Sequence, residues 1–357
     1  MQRVPRRLVA ASLALTLWGC RDEQSQVTKH PAGARSVSAQ SAREAASKAS
    51  PGSATAQRVA ASASAAPAAK TARAAAPSAP TPAKEAVAAA ETTWRWPDTP
   101  IGEMQVVVSV PKHLEGQRLP VLITMHGLGE ARKGPEKGAR GWLDDYALGA
   151  ALERLQAPPI TPGDLRGFAG ERLGLINTGL RKEPYQGLII VMPYTPDILK
   201  GDRPFSLAEP LATFLVDTLL PRVYKETPAV GTPATTGVDG VSLGGRAALL
   251  VGLTRPEAFG AVGGLQPAFD QKDAAELTRR TLAARKRNPK LQLRLLTSVG
   301  DFYLGSTKAI SQALDEAHVA HSLLIVPGDH SYKFNRGPGA YELLLYHDRV
   351  LHGLPPI

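Results

Sequence analysis

The sequence predicts an α/β fold, a mostly parallel central sheet flanked by helices on both faces, and three observations carry that expectation. Short apolar runs alternate with longer helical patterns from residue 93 to the C-terminus, the order that repeated strand-helix-strand units produce. Two of the runs, Val121–Met125 and Leu188–Met192, are apolar throughout, as strands covered on both faces are. The pattern Gly240-Val241-Ser242-Leu243-Gly244 joins a β-tending run to a helical one, which is G-x-S-x-G on a strand-to-helix turn.

Taken in order, the chain begins with a segment that does not belong to this fold. Arg3, Arg6 and Arg7 precede an apolar run from Leu8 to Trp18, too short to span a bilayer but ordered like an export signal. The run closes on Leu17-Trp18-Gly19-Cys20, which resembles a bacterial lipobox. That resemblance implies a lipoprotein-type signal over residues 1–20, lipidation of Cys20 and an exported protein held to a membrane by its N-terminal lipid. Cys20 is the single cysteine; it rules out an internal disulfide, a Cys-based zinc site and a catalytic cysteine in the folded part.

Residues 21–92 are predicted to be a disordered tether. Positions 21–90 hold 26 alanines among many serines and prolines, with no aromatic, so they cannot bury enough apolar surface to offset chain entropy. Pro51, Pro67, Pro77, Pro80 and Pro82 interrupt any long alanine helix. Of the formal net charge of +10, residues 1–20 carry +3 and residues 21–90 carry +5, leaving +2 for the rest. The basic balance therefore suits an anionic membrane or wall polymer beside the tether, and it argues against a nucleic-acid-binding domain.

From residue 93 to 357 the elements follow one another closely. Strands are expected at Met104–Val110, Val121–Met125, Leu188–Met192, Ala261–Leu265, Leu291–Ser298 and Ser322–Val326, with a short β-tending run before Ser242. Helices are expected at Leu143–Leu155, Leu207–Lys225, Gly245–Leu253, Asp273–Arg287, Ser306–Ala317 and Tyr341–Leu351. The connection from Ala157 to Gln186 is long, rich in glycine and proline, and offers Phe168, Leu173, Leu175 and Ile176. Such a length suits either a lid that contacts an acyl chain or a surface excursion with one short helix.

In open parallel sheets functional groups gather at the carboxyl ends of strands, and three strands are followed by candidates. These are His126-Gly127-Leu128-Gly129-Glu130, Val299-Gly300-Asp301-Phe302 and Pro327-Gly328-Asp329-His330-Ser331. With the G-x-S-x-G turn they supply Ser242, Asp301 and His330 in the chain order Ser, Asp, His, which is the α/β-hydrolase order. Asp270, after the preceding strand, is the rival acid. Asp329 adjoins His330, and neighbouring side chains rarely face each other. His126 is read as a support for its own loop, and His318, His321, His347 and His352 as solvated. Metal and cofactor readings fail on spacing: there is no His-Glu-x-x-His run, and Ser306 stands where a phosphate-binding lysine would be.

Four stretches together carry a resemblance to a family: His126-Gly127-Leu128-Gly129, Leu219-Leu220-Pro221-Arg222-Val223-Tyr224, Val241-Ser242-Leu243-Gly244-Gly245 and Val326-Pro327-Gly328-Asp329-His330-Ser331. The region from Trp94 onward resembles α/β-hydrolases of the esterase group that includes esterase D, enterochelin esterases and secreted mycolyltransferases. The first stretch is also similar to acyl-protein thioesterases and bacterial carboxylesterases. The resemblance implies a serine esterase without a cofactor, acting on a small-molecule or polymer-linked ester or thioester. It assigns Ser242 as nucleophile, His330 as base, Asp301 as its orienting acid, and the backbone N–H groups of Leu128 and Leu243 as the oxyanion hole. An acyltransferase using the same triad, or a non-catalytic cell-surface binding module on the same fold, are the alternatives.

Overall fold

A computed structural model describes residues 86–199, 205 and 208–357; the signal, Cys20 and the tether as far as residue 85 lie outside the described residues. Eight strands form one sheet: β1 Ala90–Trp96, β2 Met104–Val110, β3 Val121–Met125, β4 Ile189–Pro193, β5 Thr236–Gly240, β6 Ala261–Leu265, β7 Gln292–Gly300 and β8 Ser322–Asp329. Their order across the sheet is 1-2-4-3-5-6-7-8. Pairing is parallel from β4 through β8, while β2 runs against both β4 and β1.

Strand alternation sorts the core into two layers. Val106, Val108, Val121, Ile123, Ile189 and Val191 point to one face, and Val107, Leu122, Ile190 and Met192 to the other. This is the period-two geometry of a strand applied to runs that are apolar at every position. The first face is covered by α3 (Ala208–Thr213, Phe214–Leu219 and Leu220–Glu226), α4 (Leu243–Thr254), α5 (Ala274–Arg287) and α6 (Leu304–Glu316). The second face is covered by α1 (Leu148–Gln156), α2 (Arg172–Lys182) and α7 (Ala340–Leu351).

The structure departs from the sequence reading at identifiable places. β1 begins at Ala90, and Ala86–Val87 already pairs with His113–Leu114, so ordered structure starts inside the predicted tether of residues 21–92. The expected helix Leu143–Leu155 is broken: a turn at Gly141–Asp144 ends before Ala147, whose φ of 55° is left-handed. The break lets Trp142 and Tyr146 pack edge to face while Leu148, Ala151 and Leu155 of α1 also turn inward. In α3 the middle turn Phe214–Leu219 is wound as a π-helix, with the Leu220 N–H reaching Leu215. Pro221 follows directly and has no N–H to continue the regular ladder.

The long connection after α1 is packed down. Its Ile160, Leu165, Ile176 and Leu180 belong to the second core layer. Asn177 clasps Ile160 by both backbone groups at 2.8 Å, and Arg172 holds Glu342 of α7 in a bidentate pair at 2.6 and 2.7 Å. Of the residues offered for an acyl chain, Ile176 is buried, Phe168 and Leu173 are partly buried, and Leu175 faces solvent.

Candidate functional site

β5 ends beside β3 and β6, and the chain must reverse at once into α4, which lies across the sheet. Ser242 sits on that corner with φ 57° and ψ −116°, a strained conformation for a residue with a side chain. The surroundings hold it there. Its N–H donates to Leu265 at 2.9 Å, and its carbonyl accepts from Arg246 and Ala268 at 3.0 Å each. The two flanking glycines are required by space: a Cβ on Gly240 would lie 2.6 Å from the Gly244 backbone, and one on Gly244 would lie 2.2 Å from the Met125 carbonyl oxygen.

His330 follows β8 and presents its Nε2 to the Ser242 hydroxyl at 3.1 Å. Its Nδ1 donates to Asp301 at 2.8 Å, which leaves the Nε2 lone pair free to accept from the serine. Asp301, after β7, is buried; its other oxygen accepts from the Thr297 hydroxyl at 2.6 Å, and the oxygen facing His330 also accepts from the Tyr303 N–H at 3.0 Å. Ser242, His330 and Asp301 thus stand in one hydrogen-bonded line, reachable from solvent at the serine and the imidazole.

The rival acid is used elsewhere. Asp270 is largely exposed and caps the turn Gln271–Asp273 in a reciprocal arrangement with Asp273. Asp329 accepts from the Ser331 hydroxyl, and the His330 Nδ1 donates to Asp301 instead. Leu243 opens α4, where a backbone N–H has no acceptor within the helix. Leu128 lies in the turn that follows Gly127.

His126 does hold its loop. Its Nδ1 donates to Gly127 at 3.0 Å and its Nε2 accepts from the Thr195 N–H at 2.8 Å, and complete burial pulls its pKa down to about 4. It is therefore neutral, with both nitrogens engaged. Three other histidines are not solvated as the sequence suggested. His347 is buried and donates from Nε2 to Asp239 at 2.9 Å, with Arg294 3.4 Å from the same oxygen; burial lowers its pKa. His321 bonds Ser311 and Val319, and His352 bonds Gly187. Their partners lie on other elements or across turns, so no local pattern announces them. His318 is exposed, as expected.

One residue that the sequence does not single out braces the loops of the site. Gln266, buried with φ 46°, donates to the Ser298 hydroxyl and to the Asp329 carbonyl, both at 2.8 Å. It ties the end of β7 and the residue before His330 to the corner after β6. Nothing in its own neighbourhood of the sequence marks it, because both partners come from later strands. The mouth of the site is apolar: Phe302 is 70% exposed and its ring lies 4.1 Å from the His330 ring, with Val299 near the end of β7 and Tyr332 two residues after His330 also exposed. A separate cleft of about 540 Å³, lined by Thr232, Glu257, Arg287 and Gln292 among others, opens at the amino ends of β5 to β7 and does not belong to this site.

The chain is similar to a ferulic acid esterase at 16% identity, covering 74% of this chain and 99% of that one, with a TM-score of 0.55. The fold is that of an α/β-hydrolase. The chain is also similar to the fluorophosphonate-binding serine hydrolase F of Staphylococcus aureus, at 13% identity, with 73% and 99% of the two chains covered and a TM-score of 0.51. A feruloyl esterase module from Clostridium thermocellum, complexed with sinapinate, matches at 14% identity over 72% of this chain and 87% of that one, with a TM-score of 0.50. No curated protein matches the sequence. Residues 201–316, which include Ser242 and Asp301, match the family described as "Putative esterase", and the chain is an esterase enzyme.

Proposed function

We propose that the enzyme cleaves carboxylic esters or thioesters through an acyl-enzyme on Ser242. The observation that carries this reading is the hydrogen-bonded line from the Ser242 hydroxyl through His330 to Asp301, set on a strained corner. A serine hydroxyl is too weakly acidic to attack a carbonyl unaided, so His330 takes its proton as the new C–O bond forms. Asp301 keeps the imidazole in the tautomer that can do so and stabilises the resulting cation. The negative charge moves to the carbonyl oxygen, where the N–H groups of Leu243 and Leu128 receive it. His330 then protonates the departing alcohol or thiol. Water repeats the cycle on the acyl-serine: His330 accepts its proton, the carboxylic acid leaves, and the serine recovers its hydrogen.

The apolar mouth supports an ester with a flat or apolar group beside the scissile bond, because Phe302 offers an exposed ring next to the imidazole. Aromatic acyl esters, the kind that the feruloyl esterase neighbours' names point to, are accordingly the first substrates to try. Outside the described residues, the export-type signal and Cys20 support a lipid-anchored enzyme working beyond the cytoplasm. The decisive experiment is labelling with a fluorophosphonate, followed by mapping of the adduct. Label on Ser242, lost in Ser242→Ala together with hydrolysis of chromogenic acetyl and aromatic esters, is expected. Full activity in Ser242→Ala, with no adduct in the parent enzyme, would remove the nucleophile and the mechanism with it. For the anchor, Cys20→Ala is expected to release the protein from membranes; no incorporation of labelled fatty acid in the parent would refute lipidation.

A further inference from the structure

A buried carboxylate next to the oxyanion loop has no part in the mechanism above. Glu130 is 1% exposed, and a carboxylate in such a place needs donors on its oxygens. Two tyrosines supply them. Oε1 accepts from the Tyr332 hydroxyl at 2.6 Å, and Oε2 accepts from the Tyr146 hydroxyl, whose oxygen in turn accepts from the Gly127 N–H at 3.1 Å. Lys133 stands 3.7 Å from Oε1 and closer, at 2.6 Å, to Asp145, so the two hydroxyls are the close donors to the carboxylate.

The positions of these residues give the arrangement its meaning. Glu130 is two residues after Leu128, and Tyr332 is two residues after His330. A single hydrogen bond between residues 202 apart in sequence therefore links the loop offered as oxyanion donor to the loop that carries the base. Space is reserved for it as well: a Cβ on Gly129 would come within 2.4 Å of the Tyr332 hydroxyl, and a Cβ on Gly141 within 2.4 Å of the Glu130 side chain.

We propose that Glu130 and Tyr332 form a strap that holds the oxyanion loop and the His330 loop in register across Ser242, as positioning residues for the chemistry. This rests on the roles proposed above for Leu128 and His330. Small displacements of such groups are costly, about 10²-fold in rate for a shift of about 1 Å, so one interloop bond has leverage over the chemical step without touching substrate.

Tyr332→Phe is the first test, because it removes one hydroxyl and keeps the ring against Tyr146, 5.8 Å away. Three results are expected in the full chain. Backbone amides of residues 127–130 exchange faster, since one anchor of that loop is gone. kcat on a small acetyl ester falls about tenfold while KM stays within about twofold, and fluorophosphonate inactivation slows in parallel. Glu130→Gln should show the same split, and the double variant should cost no more than the worse single, because both break one link. If Glu130→Gln does not fold, Tyr332→Phe decides alone. Unchanged kcat in Tyr332→Phe overturns the strap whether or not amide exchange moves, since a structural bond alone would alter stability and leave turnover per folded molecule intact. Unchanged exchange at 127–130 overturns it too. A parent enzyme that neither labels nor turns over would instead refute the function proposed above, and the exchange measurement would still judge the link.

Discussion

Asp301 and Asp270 follow neighbouring strands, and both carboxylates were open candidates until their surroundings were visible. Asp301 receives hydrogen bonds from His330, Thr297 and Tyr303, whereas Asp270 caps a turn in solvent. Asp301→Asn is therefore expected to keep the fold and lower kcat by about 10⁴, the cost of a wrongly held imidazole tautomer. Asp270→Asn should leave kcat within about twofold; steady-state rates on one ester compare the two directly, and the reverse outcome would move the acid to Asp270. Sequence could name both because strand ends collect functional groups, but not which way each chain turns afterwards. The histidines teach the same lesson: His347 finds Asp239 on another element, and no nearby residue signals it. His126 allows a sharper expectation. Burial lowers its pKa from 6.5 to about 4, so between those values the unfolded chain binds a proton that the folded chain refuses. Stability present above pH 6.5 is then lost as pH falls toward 4, by about 3 kcal/mol for this group. Denaturant midpoints from pH 7 to pH 4 should fall more steeply for the parent than for His126→Gln; equal slopes would show that His126 protonates in the folded protein.

Among the elements, the apolar parallel strands were the most legible, because a run buried on both faces looks the same in any context. The connection from Ala157 to Gln186 was not. Its length and glycines suited a lid, yet Ile160, Leu165, Ile176 and Leu180 are built into the core, and whether an apolar residue in a loop serves substrate or packing depends on contacts far along the chain. The Asn177 clasp on Ile160 fixes the segment's start against α2. Asn177→Ala leaves a buried backbone N–H and C=O without that partner, and is expected to cost about 1–3 kcal/mol in a denaturation experiment. The acyl-length preference of the variant should match the parent's, since Ile160 and Ile176 beside the clasp are built into the core. A shifted profile at unchanged stability would restore the lid. Phe168 lies with its ring 6.3 Å from Phe334, four residues after His330, so gross deletions there would reach the site indirectly.

For the whole molecule, what matters is where the folded domain begins. Composition placed the change at residue 93, because alanine-rich sequence gives no strand signal and β1 is exposed at five of its seven positions. Only Trp94 is buried there, with the Arg222 guanidinium 4.4 Å from its ring and Trp96 edge-on to it at 6.3 Å. Trp96 in turn packs on Phe214 of α3 at 5.3 Å, so a strand whose first three residues read as tether closes one end of the first core layer. A chain starting at residue 86 is expected to fold with full esterase activity. One starting at residue 97 loses both tryptophans and uncovers the backbone groups of β2 along its whole length. The first loss is worth about 3–5 kcal/mol for a buried tryptophan, and the second leaves a bare sheet edge that pairs with other copies. Purified in parallel, the shorter chain should melt at lower temperature and elute from a sizing column as aggregate, while the longer one elutes as a single species. If the two behave alike, β1 is dispensable and the domain begins after it. If the chain from residue 86 fails as well, part of the alanine-rich segment before it contributes to the fold.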